Sequence, residues 1–279
     1  MNMHPGEIKR AKENAVHAEL EIKCVNKSSF IYHQLLPHPF HITVPFNFNG
    51  DPKDLITLYL QSSSGGLYDK DLHKLSIKLN PNSKLHLTSQ ASTIVHSAKE
   101  NVGASIATSL TLLENSYLEF LPDPIILMAN SKFKSATTIN LKSSSKAMIS
   151  ESFLTHDPTN NGNMFQECFS ETSVIIDDTL VANEKSHFHG ADYFARIKGY
   201  QCIGSIYIYN FNPGLADKLN RTIDQITGVL IGCSVLDKLN LVIVKIIAEE
   251  TTILSRSMEV AWEIARTNIT GEVPKKRRK

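Results

Sequence analysis

Apolar and polar side chains alternate at every second position through the first three quarters of this 279-residue chain. This alternation constrains the fold more than any other feature. Residues 18–24 (Ala-Glu-Leu-Glu-Ile-Lys-Cys), 72–79 (Leu-His-Lys-Leu-Ser-Ile-Lys-Leu) and 105–113 (Ser-Ile-Ala-Thr-Ser-Leu-Thr-Leu-Leu) each present one apolar face when extended, because successive strand side chains point to opposite sides. Turn-forming clusters punctuate the runs: Asn80-Pro81-Asn82-Ser83, Glu114-Asn115-Ser116, Leu121-Pro122-Asp123-Pro124 and Thr159-Asn160-Asn161-Gly162. Strands of roughly 6–9 residues between such turns predict an all-β body. The helices that a parallel α/β sheet needs between its strands are not apparent in this stretch.

A weak internal echo accompanies the alternation. Asn82-Ser83-Lys84-Leu85-His86-Leu87 and Asn115-Ser116-Tyr117-Leu118-Glu119-Phe120 both set an Asn-Ser turn before alternating residues, and Ser144-Ser145-Lys146-Ala147-Met148 follows the same plan. Stacked β layers would produce this recurrence. Asn and Ser favour turns in any fold, so on its own the echo leaves both readings open.

The last quarter changes period. Asn212-Pro213 offers an N-cap followed by proline at the first helical position, and Leu215, Leu219, Ile223 and Ile226 fall at helical spacing, with Gly228 as a stop. A helix over about 213–227 is expected, then a strand at 239–247. Leu254, Met258, Ala261, Trp262 and Ala265 predict a second helix over about 251–267. Core packing explains both apolar stripes. The organisation expected is a single β-rich domain over residues 1–274 and a solvated basic tail, Lys275, Lys276, Arg277, Arg278 and Lys279.

Composition excludes several function classes. Hydrophobic residues make up 42% of the chain, ample for a core. Taking the five tail residues from the 29 Lys+Arg leaves 24 against 28 Asp+Glu, so the body carries about −4 and no nucleic-acid face is expected. Cys24, Cys168, Cys202 and Cys233 are scattered with no Cys-x-x-Cys pair, which argues against a disulfide framework or structural zinc. Residues 1–21 are charged throughout, without the apolar core of a secretory signal. The longest apolar stretches, 226–236 and 239–248, fall short of the ~18–20 residues a membrane span needs. A cytoplasmic protein without a membrane partner is expected.

Motifs for chemistry are sparse. Gly65-Gly66 lacks the lysine and spacing of a phosphate-binding loop, and no dinucleotide-binding fingerprint or Gly-x-Ser-x-Gly nucleophile is present, so no enzyme is expected. Among 11 histidines, His187-Phe188-His189 would place two imidazoles on one face if extended, and imidazole suits nickel, copper or zinc. Their charged and glycine-containing surroundings instead predict an exposed surface loop. His38 and His41, beside Pro37 and Pro39, are less specific still, and no closed metal site is expected.

From near Leu20 to the C-terminal tail, the ordered set of segments resembles the UreD (UreH) family of urease accessory proteins. The pieces are Ser64-Gly65-Gly66-Leu67 followed by Asp71; Leu87-Thr88-Ser89-Gln90-Ala91-Ser92-Thr93; and Leu118-Glu119-Phe120-Leu121-Pro122-Asp123-Pro124-Ile125-Ile126. Then come Gly162 with Glu167, and Trp262 with Arg266 four residues later. The chain departs from the family pattern at Asp69-Lys70-Asp71, where Gly-Gly-Asp is common. It departs also at Ile94, His96, Asn163 and Gln166, and in its Lys-Lys-Arg-Arg-Lys ending.

This resemblance implies a non-enzymatic assembly factor of stacked sheets with C-terminal helices, serving the dinuclear nickel site of urease. Its implied partners are the urease apoprotein, a UreF-like accessory protein and a UreG-like GTPase. GTP would be bound by the partner only, no cofactor would be tightly held, and Ni2+ would pass transiently through an internal water-filled passage. A conduit needs successive weak sites, since a closed cage would trap the ion. By motif position, the resemblance implies Asp71, Thr93, Glu151 and Glu184 along that route. The competing reading is a β-solenoid-like module binding protein or carbohydrate, though aromatics are only 8% and lie mostly within apolar runs. A metal-dependent enzyme comes third.

Overall fold

The alternating runs build two facing sheets, and the chain crosses from one to the other at each Asn-Ser or Ser-Ser turn. The computed structural model describes residues 14–48, 51–159 and 161–275. In chain order the strands are β1 (Asn14–Val25), β2 (Ser28–Leu35), β3 (Phe40–Ile42), β4 (Leu55–Ser62), β5 (Asp71–Leu79), β6 (Lys84–Ser89), β7 (Thr93–Val95), β8 (Ala104–Leu112), β9 (Tyr117–Leu121), β10 (Ile125–Met128), β11 (Lys132–Leu141), β12 (Lys146–His156), β13 (Glu167–Ile176) and β14 (Thr179–His189). A short helix α1 (Tyr193–Arg196) leads to β15 (Cys202–Tyr209), α2 (Leu215–Ile223), β16 (Val229–Leu236), β17 (Leu241–Ala248) and α3 (Thr251–Thr270).

Sheet A has the order β14-β13-β11-β8-β5-β1-β2, and sheet B runs β16-β17-β15-β12-β9-β6-β4-β3 with β10 and β7 added beside β12. The pairs β1/β5, β5/β8, β8/β11 and β11/β13 are parallel, as are β4/β6, β6/β9 and β9/β12. Parallel neighbours in both sheets, each joined by a crossing turn, make a stack of solenoid-like layers. The Asn-Ser echo is therefore the corner of one layer repeated. Ser83, Ser116 and Ser145 are fully buried, and their hydroxyls donate to the carbonyls of Asn80, Leu113 and Lys142 at 2.6, 2.6 and 2.7 Å. Backbone bonds link the corners, from Tyr117 N–H to the Ser83 carbonyl at 2.9 Å and from Lys146 N–H to the Ser116 carbonyl at 2.8 Å. Asn82 and Asn115 supply left-handed backbone at φ +63° and +56°, a conformation Asn tolerates better than most residues.

The inner face of sheet A changes character along its strands. Towards the corners it carries apolar rows in register, such as Ile77, Leu110, Ile139 and Val174. These meet Leu85, Leu87, Leu118 and Ile149 of sheet B in one buried cluster. On its other side sheet B packs against α2 and α3 through Leu215, Leu219, Ile223, Leu254, Ala261, Trp262 and Ala265, as both helical stripes predicted.

Several boundaries differ from expectation. Helix α2 begins at Leu215 after Gly214 (φ +82°), not at the Asn212-Pro213 cap. Asn212 is committed elsewhere, its N–H donating to Asn268 Oδ1 at 2.7 Å while Asn268 Nδ2 donates to the Asn212 carbonyl at 3.0 Å. The helix ends at Ile223, and Ile226 packs on the core from the following turn. Helix α3 runs three residues past the expected end, to Thr270, with Gly271 as its left-handed cap (φ +78°). His187 and His189 close strand β14 and are not in a loop. In the basic tail, residues 276–279 lie outside the described residues, as do residues 1–13. Among the described residues, no helix is long and apolar enough to cross a membrane.

Candidate functional site

Between the sheets lies a cavity of about 380 Å³, bordered by Phe40, Leu75, Phe120 and Ile149 of the apolar cluster. Its far wall is polar because hydroxyl residues occupy inward positions of successive parallel strands. Thr108, Thr137 and Thr172 fall in one register row on β8, β11 and β13, and Glu184 of β14 extends it. Ser135 and Ser170 form the adjacent row. Thr108, Ser135, Ser170 and Thr172 are all buried. An isolated hydroxyl in such a place is costly, whereas a stack of them offers successive hydrogen-bonding groups.

Glu151 reaches across from β12 to this wall. Ser135 and Ser170 both donate to its carboxylate, the latter at 2.6 Å. Burial raises its carboxyl above the ordinary value, against the pull of those hydroxyls and of the Lys245 charge. Lys245 donates to Ser205 Oγ at 2.7 Å and to Glu184. Desolvation lowers the lysine to about 8, opposed by Glu151. Tyr207 lines the cavity and donates to Glu184 Oε2 at 3.1 Å. Glu151 and Glu184 thus belong to one charged cluster, with Lys245 between them, spanning both sheets.

Three loops form the other end of the cavity. They contribute Ser64, Gly65 and Gly66, then Gln90, with Thr93 at the start of β7, then Pro122 and Asp123. The first loop lies tight on β7: Leu67 N–H donates to the Ile94 carbonyl at 2.7 Å, and His96 N–H to the Leu67 carbonyl at 2.9 Å. Gly66 sits at φ +130°, where a Cβ would stand 2.3 Å from the Ile94 oxygen, so only glycine fits. Gln61 donates to Gln90 at 2.6 Å, and Thr88 to the Leu121 carbonyl at 2.6 Å, tying the loops together. Gly162 serves an exposed turn instead, at φ +76°.

Asp71 is separate from this cavity. Its Oδ2 accepts the Tyr68 N–H at 2.8 Å and closes the turn into β5. It lines a separate groove at the starting end of β5, shared with Ser105, Lys134, Glu167 and His187. Of the four residues placed on the route by motif position, Thr93 and Glu151 line the cavity, Glu184 adjoins it through Tyr207, and Asp71 lies outside.

A second polar centre is wholly buried. Glu119 of β9 accepts Arg266 Nε at 2.7 Å and Trp262 Nε1 at 3.0 Å, both from α3, and also the Tyr117 hydroxyl. His86 Nδ1 lies 2.5 Å from Glu119 Oε2, the oxygen that also accepts Trp262, and Arg266 Nη1 lies 2.5 Å from Asp51. Although burial opposes it, hydrogen bonds and charge from His86 and Arg266 hold Glu119 well below the usual carboxylate range. Donors from β6, β9 and α3 converge on Glu119, and Arg266 also reaches Asp51, so the cluster works as a lock between α3 and sheet B.

Sequence reasoning did not name Thr108, Ser135, Thr137, Ser170, Thr172, Tyr207 or Lys245. A signal was present: each hydroxyl residue occupies the inward parity of a strand that is otherwise apolar at those positions.

The family model described as UreD urease accessory protein matches residues 14–279. Urease accessory protein UreD 1 of Methylorubrum populi is 30% identical over 95% of this chain and 92% of its own length. Its namesake in Pseudomonas syringae pv. tomato is 25% identical over the whole of both chains. Urease accessory protein UreD of Haloquadratum walsbyi is 24% identical over 88% of this chain and 83% of its own. The stacked sheets, the loop motifs around the cavity and the Glu119–Trp262–Arg266 lock thus occur in a chain that belongs to the UreD urease accessory protein family.

Proposed function

We propose that this chain acts in urease maturation by joining the urease apoprotein to a UreF-like protein and, through it, a UreG-like GTPase, and that its internal cavity is a stretch of the route taken by Ni2+. The observation that carries this reading is the Glu151 carboxylate set among hydroxyls in a cavity whose remaining lining is largely apolar. Ni2+ is cargo here. Oxygen ligands that are few at any one point bind it weakly enough to release it, as conduction requires. The chain offers no phosphate-binding loop, so GTP hydrolysis is assigned to the partner and none of the chemistry to this chain. The terminal strands support a scaffold role. β2 exposes Tyr32 and Leu35, and β16 exposes Leu230 and Val235, as unpaired edges awaiting a partner do.

Coexpression tests the reading. Urease produced with its accessory proteins should gain activity and bound nickel only when this chain is present, and the chain should copurify with the UreF-like and UreG-like proteins. Full activation in its absence would refute the role.

A further inference from the structure

We infer that Glu167, His187 and His189 form a binding site for a divalent first-row transition ion, on the outer face of sheet A and apart from the internal cavity. The three residues come together through strand pairing. Glu167 opens β13, His187 and His189 close β14, and the antiparallel register sets Glu167 opposite His189 and Phe169 opposite His187. All three side chains share one face, since residues two apart on a strand point the same way. His187 Nε2 lies 2.7 Å from Glu167 Oε1, the two imidazole rings are 4.5 Å apart, and one ligand atom from each residue lies within 4.8 Å of the others.

Two imidazoles and a carboxylate are the donor set of an open three-ligand site, suited to Zn2+, Ni2+ or Cu2+ and unsuited to Ca2+ or Mg2+. Closing on an ion with ligand bonds of about 2.0–2.2 Å requires only small side-chain rotations from these separations. The ion would replace the His187–Glu167 hydrogen bond and leave positions for water or an incoming ligand. The surroundings help to hold the set: the Phe169 ring packs edge-on to His187 at 5.8 Å, and Lys185 is engaged with Glu171 at 3.1 Å. Glu167 and His187 also line the groove that holds Asp71, so an ion captured here stands on the surface, where it can be exchanged.

This inference does not rest on the proposed passage, and the two fail separately. The test is titration of the full-length chain with Zn2+, Ni2+ and Co2+, following heat of binding and the visible Co2+ absorption. The site predicts one saturable equivalent in the micromolar range, weakened at least tenfold in His187→Ala and in His189→Ala, and unchanged in His41→Ala, an exposed histidine on β3. Circular dichroism of each variant should match the parent, because both histidines are exposed. Binding that survives the double histidine variant, or the absence of any saturable equivalent in the parent, would overturn the assignment.

Discussion

At the scale of single residues, Glu119 and Gly66 show the fold at its least tolerant. Glu119 is surrounded by donors from three elements: His86 from β6, Tyr117 from its own strand, and Trp262 and Arg266 from α3. Arg266 is in turn held by Asp51. Replacing Glu119 by Gln leaves a buried guanidinium without its main counter-charge, and should cost about 3–5 kcal/mol at pH 7 in denaturant unfolding. The pH dependence follows from the direction of the shift. The folded carboxyl lies well below 4.5, so its stabilisation is complete above the unfolded value and is lost as pH falls through the folded one. Between pH 5 and pH 3 the parent should therefore lose stability more steeply than Glu119→Gln. Parallel pH profiles would contradict this assignment. Gly66→Ala should destabilise by roughly 1–3 kcal/mol, through a positive φ and a collision with the Ile94 carbonyl. Thermal unfolding measures it, and an unchanged Tm would show that the loop relaxes freely.

At the scale of elements, strand alternation made the β body and its inward faces legible, and the two apolar stripes located both C-terminal helices. The Asn-Ser echo contained the layered architecture but could not prove it. What decides between layers and chance turns is the backbone bonding from one corner to the next, a contact between residues about thirty positions apart. Helix boundaries were less legible, because Asn212 has two uses as a polar residue, capping its own helix or bonding Asn268, and tertiary context chose the second. His187 and His189 read as loop because local composition cannot register that β13 stands ready to pair with them. Helix α3 owes its place to burial and to the Glu119 lock together. Trp262, 6% exposed, contributes both a large apolar surface and a donor. Trp262→Ala should cost about 3–5 kcal/mol, as large aromatic deletions in cores do. Unfolding by urea checks this, and a loss of partner binding at unchanged stability would instead mark α3 as a contact surface.

At the scale of the whole molecule, the stack of layers makes an interior with an apolar cluster at each end and rows of hydroxyl residues between them, and the account places Ni2+ transit in that middle band. Sequence position alone brought Thr93, Glu151, Glu184 and Asp71 together as one group. The structure divides them, because Glu151 enters the cavity from the middle of β12 while Asp71 stands at the first position of β5, beyond the cavity lining, and accepts the Tyr68 N–H. The Thr108–Thr137–Thr172 row could be found only once the register of three strands was known. The most direct test is the nickel content of urease matured with Glu151→Gln, with Asp71→Asn as the comparison. Complex formation with the UreF-like protein and urease is checked in both by copurification. The account predicts that Glu151→Gln assembles normally yet leaves urease with several-fold less nickel, while Asp71→Asn loads it like the parent. Full nickel loading by Glu151→Gln in an intact complex would contradict the claim that the ion crosses this cavity.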